Sequence, residues 1–194
     1  MQTKKHFKLT SETKINWNGV TLYRIEAIID FGTIKKGDKG GWVEKEDNLF
    51  GNAWVFGNAR VSGDARVYGN AWVSGDARVY GNAWVSGNAR VSGNARVYGD
   101  AWVSGDAWVS GDAWVSGNAR KKSPLQIQGT RSFINECKKG YLRIGCIELS
   151  FEAWRERAEE IGKKNGYSKL EIKEYQLYID LAIELSKLTG NKTE

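Results

Sequence analysis

The 194-residue chain has one histidine, one proline and two cysteines. A lone histidine, His6, cannot supply the imidazole cluster of a zinc enzyme, and none lies in the repetitive middle of the chain to serve there as a general base. Cys137 and Cys146 have neither paired spacing nor histidine neighbours, so they read as free thiols. No metal or cofactor is called for. No apolar run reaches the length of a signal peptide or a membrane span, so the chain is expected to be cytoplasmic, the host cytoplasm if a phage encodes it. The formal charge of +6 is spread as +2 over residues 1–50, +1 over 51–120 and +3 over 121–194. The longest basic run is Arg120-Lys121-Lys122, which argues against a nucleic-acid binder.

Glycine and tryptophan are abundant instead, at 23 and nine residues. From Gly51 the chain runs as eleven complete hexads, "GNAWVF GNARVS GDARVY" and onward to Ser116, followed by "GNAR". Each hexad has Gly, then Asn or Asp, Ala, Trp or Arg, Val, and finally Ser, Tyr or Phe. In an extended segment Ala and Val face one way while Trp or Arg faces the other, and Gly-Asx is turn chemistry. A meander of four-residue strands would need a second layer to cover its Ala/Val face, and little chain remains to build one. A solenoid covers that face with its own other sides. The pattern therefore predicts an all-β solenoid over residues 32–120, regular over 51–120, with "GTIKKGDKGGWVEKEDNL" (32–49) as an imperfect first coil.

Exposed strand edges at the ends of a solenoid need covering. Residues 1–31 predict an N-terminal hairpin cap turning at Asn18-Gly19. After Pro124 a second β segment (121–149) turns at Lys138-Lys139-Gly140, and a two-helix cap (150–194) follows. Ser150 opens the first helix, which ends near Gly166, and Ser168 with Glu171 forms a capping box for the second. Leu177, Leu181, Leu185 and Leu188, at helical spacing, are expected to pack on the cap.

With these motifs in view, "VSGNAR" resembles the left-handed parallel β-helix of hexapeptide repeats, in which a small residue follows an aliphatic one by four places. The resemblance implies three hexads per coil and the left hand; parallel crossovers are otherwise normally right-handed. "LYRIEAIIDFGTIKKGDKGGWVE" (22–44) and "LRIGCIELSFEAW" (142–154) resemble the leader and closing segments of phage and prophage hexapeptide-repeat proteins related to the YdcK family. In that group a histidine often stands where this chain has Leu149, so no role of that histidine carries over. Many hexapeptide-repeat proteins are trimeric acyltransferases with a histidine base at a subunit boundary. Here His6 lies outside the repeats and reads as a surface residue of a leading strand, while the repeat Asp positions interchange with Asn as turn geometry requires.

Residues eighteen apart would stack in three outward columns. The first holds Trp54, Trp72, Arg90 and Trp108, the second Arg60, Arg78, Arg96 and Trp114, and the third Arg66, Trp84, Trp102 and Arg120. Exposed Trp54, Trp72, Trp108, Trp84 and Trp102 point to an interface, with a homo-oligomeric trimer favoured. Trp and Arg stacked merely on one another along a solvated face would look the same. Arg60, Arg78 and Arg96, with Tyr80 and Tyr98 on their face, suit an anionic ligand of nucleotide type, unless Asp76 and Asp112 supply the counter-charge. The expected function is a non-enzymatic, phage-type binding protein, a counter-defence factor engaging a host protein or sequestering an anionic signal. A diverged acyltransferase and a purely structural scaffold are the alternatives. The Thr-x-Thr rows of ice-binding solenoids are absent.

Overall fold

A computed structural model describes residues 5–117, 119–120 and 124–190, without the side chains of 119, 120, 189 and 190. The Arg120-Lys121-Lys122 run therefore falls outside the described side chains. The chain divides after Pro124 into two units.

The first unit begins with β1 (Phe7–Ile15), β2 (Thr21–Ala27) and β3 (Lys39–Val43). Twelve short strands follow at the hexad period. They are β4 (Trp54–Val55), β5 (Arg60–Val61), β6 (Arg66–Val67), β7 (Trp72–Val73), β8 (Arg78–Val79) and β9 (Trp84–Val85). The remainder are β10 (Arg90–Val91), β11 (Arg96–Tyr98), β12 (Trp102–Val103), β13 (Trp108–Val109), β14 (Trp114–Ser116) and β15 (Ala119–Arg120). Three parallel sheets collect every third strand: β4-β7-β10-β13, β6-β9-β12-β15, and β5-β8-β11-β14, the last extended below by β3, β2 and β1. Residues eighteen apart are register partners, as Trp54 with Trp72 and Arg60 with Arg78. The protein is a β-solenoid of about four turns with a hairpin at its N-terminus.

Each coil bonds to the next through backbone contacts that repeat with the hexad. The N–H at the Trp/Arg position donates to the Ala carbonyl of the following coil, as from Trp72 to Ala89 and from Arg90 to Ala107, both at 2.9 Å. Every repeat Ala from Ala53 to Ala113 and every repeat Val from Val55 to Val115 is buried. Small side chains are what the narrow interior admits.

The corners explain both of their invariant residue types. Gly51 to Gly117 all adopt positive φ, between 58° and 74°, which costs an L-residue about 1–2 kcal/mol. Most also lie directly under the next corner: a Cβ on Gly87 would stand 3.0 Å from the backbone N and O of Gly105. The neighbouring Asx side chains form ladders, Asn52 donating to Asn70, Asn70 to Asn88 and Asn88 to Asp106, at 2.9–3.3 Å. An Asp can accept but not donate, and in none of the three corner columns does one Asp stand eighteen residues from another. Asn and Asp thus interchange under a rule that avoids stacked carboxylates.

The imperfect first coil keeps two sides in register, Trp42 with Arg60 and Leu49 with Val67. On the third side, residues 31–37 form a loop instead, and Phe31 and His6 close over Trp54 with ring centroids at 5.4 and 6.1 Å. His6 is consequently buried at 4% exposure, not a surface residue, and its Nε2–H donates to the Ala53 carbonyl at 2.9 Å. Burial holds its pKa below the usual imidazole value. Asn18-Gly19 does make the hairpin turn, with Gly19 at φ 76° and Asn16 Oδ1 accepting from the N–H groups of Asn18 and Val20.

The second unit holds β16 (Gln126–Gln128), β17 (Phe133–Lys138), β18 (Tyr141–Ile144) and β19 (Ile147–Ser150) in an antiparallel meander, then α1 (Phe151–Lys164) and α2 (Lys169–Gly190). The β17–β18 turn carries Gly140 at φ 78°. Ser150 accepts from the Ala153 N–H, and Ser168 and Glu171 bond reciprocally as a capping box. The leucines of α2 depart from expectation. Leu177, Leu181, Leu185 and Leu188 are 38–69% exposed, while Ile172, Tyr175, Ile179, Ala182 and Ile183 fill the core against Trp154 and Ile134. The helix has apolar stripes on two faces, and periodicity does not tell which one is buried. Among the described residues no helix is long and apolar enough to cross a membrane.

Two stability measurements follow. Gly87→Ala should cost more than the ~1–2 kcal/mol of positive φ alone, because its methyl also meets Gly105; Gly99→Ala, with nothing within 4 Å of the added Cβ, should cost only the former in urea denaturation. Stability should also fall as pH drops below 6.5, where the unfolded imidazole gains a proton that folded His6 resists, and level off below the folded pKa. His6→Gln, which keeps an N–H for Ala53, should remove that component between pH 7.5 and roughly 5.

Candidate functional site

The described outward columns differ in what they offer. In the first, Trp54 is not part of an exposed row: it is 1% exposed beneath His6 and Phe31. Trp72 is half-buried, packed 5.2 Å from Phe56 and under the Arg90 guanidinium, also at 5.2 Å. Of the tryptophans in that column only Trp108 stands well exposed, its Nε1–H donating to Ser92 Oγ at 3.2 Å. In the third column Trp84 and Trp102 are exposed and meet edge to face at 5.8 Å.

The second column is where the N-terminal hairpin intervenes. Irregularities between Leu9 and Thr13 and between Arg24 and Glu26 interrupt the pairing of β1, β2 and β3, and such bulges bend and twist a ribbon. The hairpin tip lies over the face of β5 and β8. Asn16, Trp17 and Asn18 from the tip, with Arg60, Ser62, Arg78 and Tyr80 from the sheet, line a shallow cleft that encloses little space and is open to solvent. Trp17 is 67% exposed, its ring 6.4 Å from that of Tyr80.

The row running up this sheet is Arg24, Trp42, Arg60, Arg78, Arg96 and Trp114, each the register partner of the next. Lys14 joins it, its Nζ 4.1 Å from the centre of the Trp42 ring. Among the described residues no carboxylate lies within ion-pair distance of Lys14, Arg24, Arg60 or Arg78, and Arg24 Nε and Trp42 Nε1 are buried without partners. The Lys14 ammonium pays for this setting with a pKa lowered to about 8. Burial is the largest cause, followed by the positive charges of Arg60 and Arg24; Asp76 opposes them, and Arg78 adds a smaller lowering effect. Asp112, the other expected counter-charge, accepts instead from Asn94 in a corner ladder.

Of the five residues expected to bind an anion, the structure brings Arg60, Arg78 and Tyr80 into the cleft. Arg96 lies one coil further and stacks on Trp114 at 4.2 Å, while Tyr98 stacks flat on Tyr80 at 5.4 Å. Lys14, Trp17 and Arg24 had no signal in the repeat pattern; only the hairpin that carries them was legible.

Residues 59–75, 73–87, 77–92 and 89–105 match the YdcK beta solenoid repeat family. The chain is a YdcK-related repeat protein. The matched stretch carries Arg60, Arg78, Tyr80 and Arg96 but stops short of Lys14 and Trp17, so the hairpin half of the cleft lies outside the YdcK match. No curated protein matches the chain.

A second cavity, of about 100 Å³, lies within the second unit between α1, α2 and the sheet. Its lining is mostly apolar and its hydroxyls serve the fold. Tyr175 bonds to the Ser132 backbone through both N–H and C=O, and the hydroxyls of Ser132 and Tyr167 bond each other at 2.7 Å. Cys137 is buried, its thiol pushed up to about 11 chiefly by burial, and is correspondingly inert. Among the described residues no His, Cys, Asp and Glu cluster could hold a metal.

The charge crowding is directly measurable. A pH titration of lysine side-chain carbon shifts should place Lys14 near 8, against 10.5 for an ordinary lysine, and Arg60→Ala should raise its midpoint by removing a like charge.

Proposed function

We propose that this protein works by binding, without catalysis, and that a small anionic ligand occupies the cleft between the hairpin tip and the second column. The observation that carries this reading is that Arg60 and Arg78 line the cleft, with Lys14 beside it over Trp42, and that among the described residues no carboxylate is paired to any of the three. Like charges held close and partly out of water repel one another, and an anion with several oxygens offsets that cost through charge-assisted hydrogen bonds. Of the two occupants expected from the sequence, a concave cleft favours the small anion over a host protein surface. The phage-type resemblance of the leader and closing segments gives such binding a use, the sequestering of a signal molecule as counter-defence.

The non-catalytic reading has support in where the candidate bases lie. His6 is committed to the Ala53 carbonyl inside the cap, and Asp100, Asp106 and Asp112 accept bonds from the Asn of the coil before. Exposed Trp84, Trp102 and Trp108 support self-association as well, with a trimer favoured, since they are the apolar surface left on the other two sides of the solenoid.

Calorimetric titration with inorganic pyrophosphate at low salt tests the binding reading. Binding is expected in the native protein, at least ~10-fold weaker in Arg78→Ala or Lys14→Ala, and unchanged in Arg66→Ala on the third column. A native protein that takes up no pyrophosphate overturns it. Sedimentation should separately give a trimer that Trp102→Ser weakens; a native monomer would refute the assembly.

A further inference from the structure

Resting on that anion-binding reading, we infer that the ligand is a nucleoside phosphate, with its phosphate on Lys14, Arg60 and Arg78 and its heterocycle against Trp17. The cleft joins two chemistries that a bare inorganic anion does not need. Its floor is cationic. Its outer wall is an indole, 67% exposed, placed at the tip of a hairpin where a small polar residue would serve the turn as well. Trp17 meets Tyr80 in a T-shaped pair, with an interplanar angle of 80°, and two thirds of the residue stays open to solvent. A planar heterocycle stacks on such a surface with little regard to its identity.

The tip also offers groups that could read a heterocycle's edge. Asn16 spends its Oδ1 on the turn, accepting from two backbone N–H groups. Its amide N–H₂ and the whole side-chain amide of Asn18 have no partner among the described residues. An asparagine amide presents a donor and an acceptor side by side, the complement of a purine or pyrimidine edge.

The same geometry limits the ligand to a single unit and argues against a polynucleotide track. The next guanidinium along the row, Arg96, is taken up by the Trp114 ring at 4.2 Å, and Tyr98 is covered by Tyr80. Along this row, among the described residues, Arg60 and Arg78 are left with neither a ring nor a carboxylate partner, beside the exposed Trp17 indole of the hairpin tip.

The test uses the full chain and four probes, AMP, ribose 5-phosphate, adenosine and a single-stranded oligonucleotide, by calorimetry at one ionic strength. AMP is expected to bind at least ~10-fold more tightly than ribose 5-phosphate, since stacking on an aromatic ring contributes measurably per base. Trp17→Ala should bring AMP down to the affinity of ribose 5-phosphate while leaving the latter unchanged, and Trp17 is exposed enough for the fold to tolerate it. Equal affinities for the two phosphates, insensitive to Trp17→Ala, would overturn the nucleoside assignment while leaving an anion site. An oligonucleotide that binds more tightly per chain than AMP would overturn the single-unit ligand. If pyrophosphate binds and no nucleoside phosphate does, the inference fails alone; if neither binds, the binding reading fails with it.

Discussion

The close seating of one coil on the next is the contact on which the rest of the molecule depends. At most corners a glycine lies directly under another glycine, where an added methyl would press on the next backbone at 3.0–3.2 Å. That approach lets the Trp/Arg N–H groups from Trp54 to Arg96 reach the Ala carbonyl of the next coil, and it brings Asx side chains such as Asn52 and Asn70 within reach of the next. A corner that stood further out would lengthen all of these bonds together. The register of eighteen residues is therefore set by backbone contact, and the side chains follow it.

A stack of this kind has an open end, and the chain's solution at its N-terminus also makes the site. β2 joins β3 antiparallel and β3 joins β5 parallel, so the hairpin continues one sheet downward. His6 and Phe31 close the first column over Trp54. The bulged ribbon then returns over the outer face and brings Lys14 beside arginines already spaced by the coil. Capping and site formation are one structural act. The ladder between β5 and β8 fixes the spacing at which Arg60 and Arg78 leave the sheet.

The solenoid consequently works as a rigid display, and the difference between its faces comes from what covers them. Trp54, Trp72 and Arg90 are tied up with neighbours, Arg96 with Trp114, and only Arg60 and Arg78 are met by a second element that adds charge without neutralising it. The YdcK-related repeats thus supply the floor of the cleft, and the hairpin supplies its wall and its crowding.

Much of this architecture was open to reading from the residues alone, because a strict period leaves little choice. Ala and Val two apart must share a face, and Gly-Asx must turn. Ser150, Ser168 and Glu171 cap helices through bonds that span only three residues. That Arg60, Arg78 and Tyr80 share one face was legible for the same reason, since eighteen-residue columns follow from the hexad. The tertiary structure alone decided where non-periodic pieces came to rest. No local rule says which face the Asn18-Gly19 hairpin covers, so Lys14 and Trp17 could not be assigned. Nor does periodicity choose between the two apolar stripes of α2, of which the Ile and Tyr side packs and the Leu side stays in solvent. His6 was placed on the surface because burial of a polar ring needs a specific partner, and the Ala53 carbonyl lies 47 residues away in the chain. Short-range chemistry and repetition fixed the coil; long-range packing chose the site.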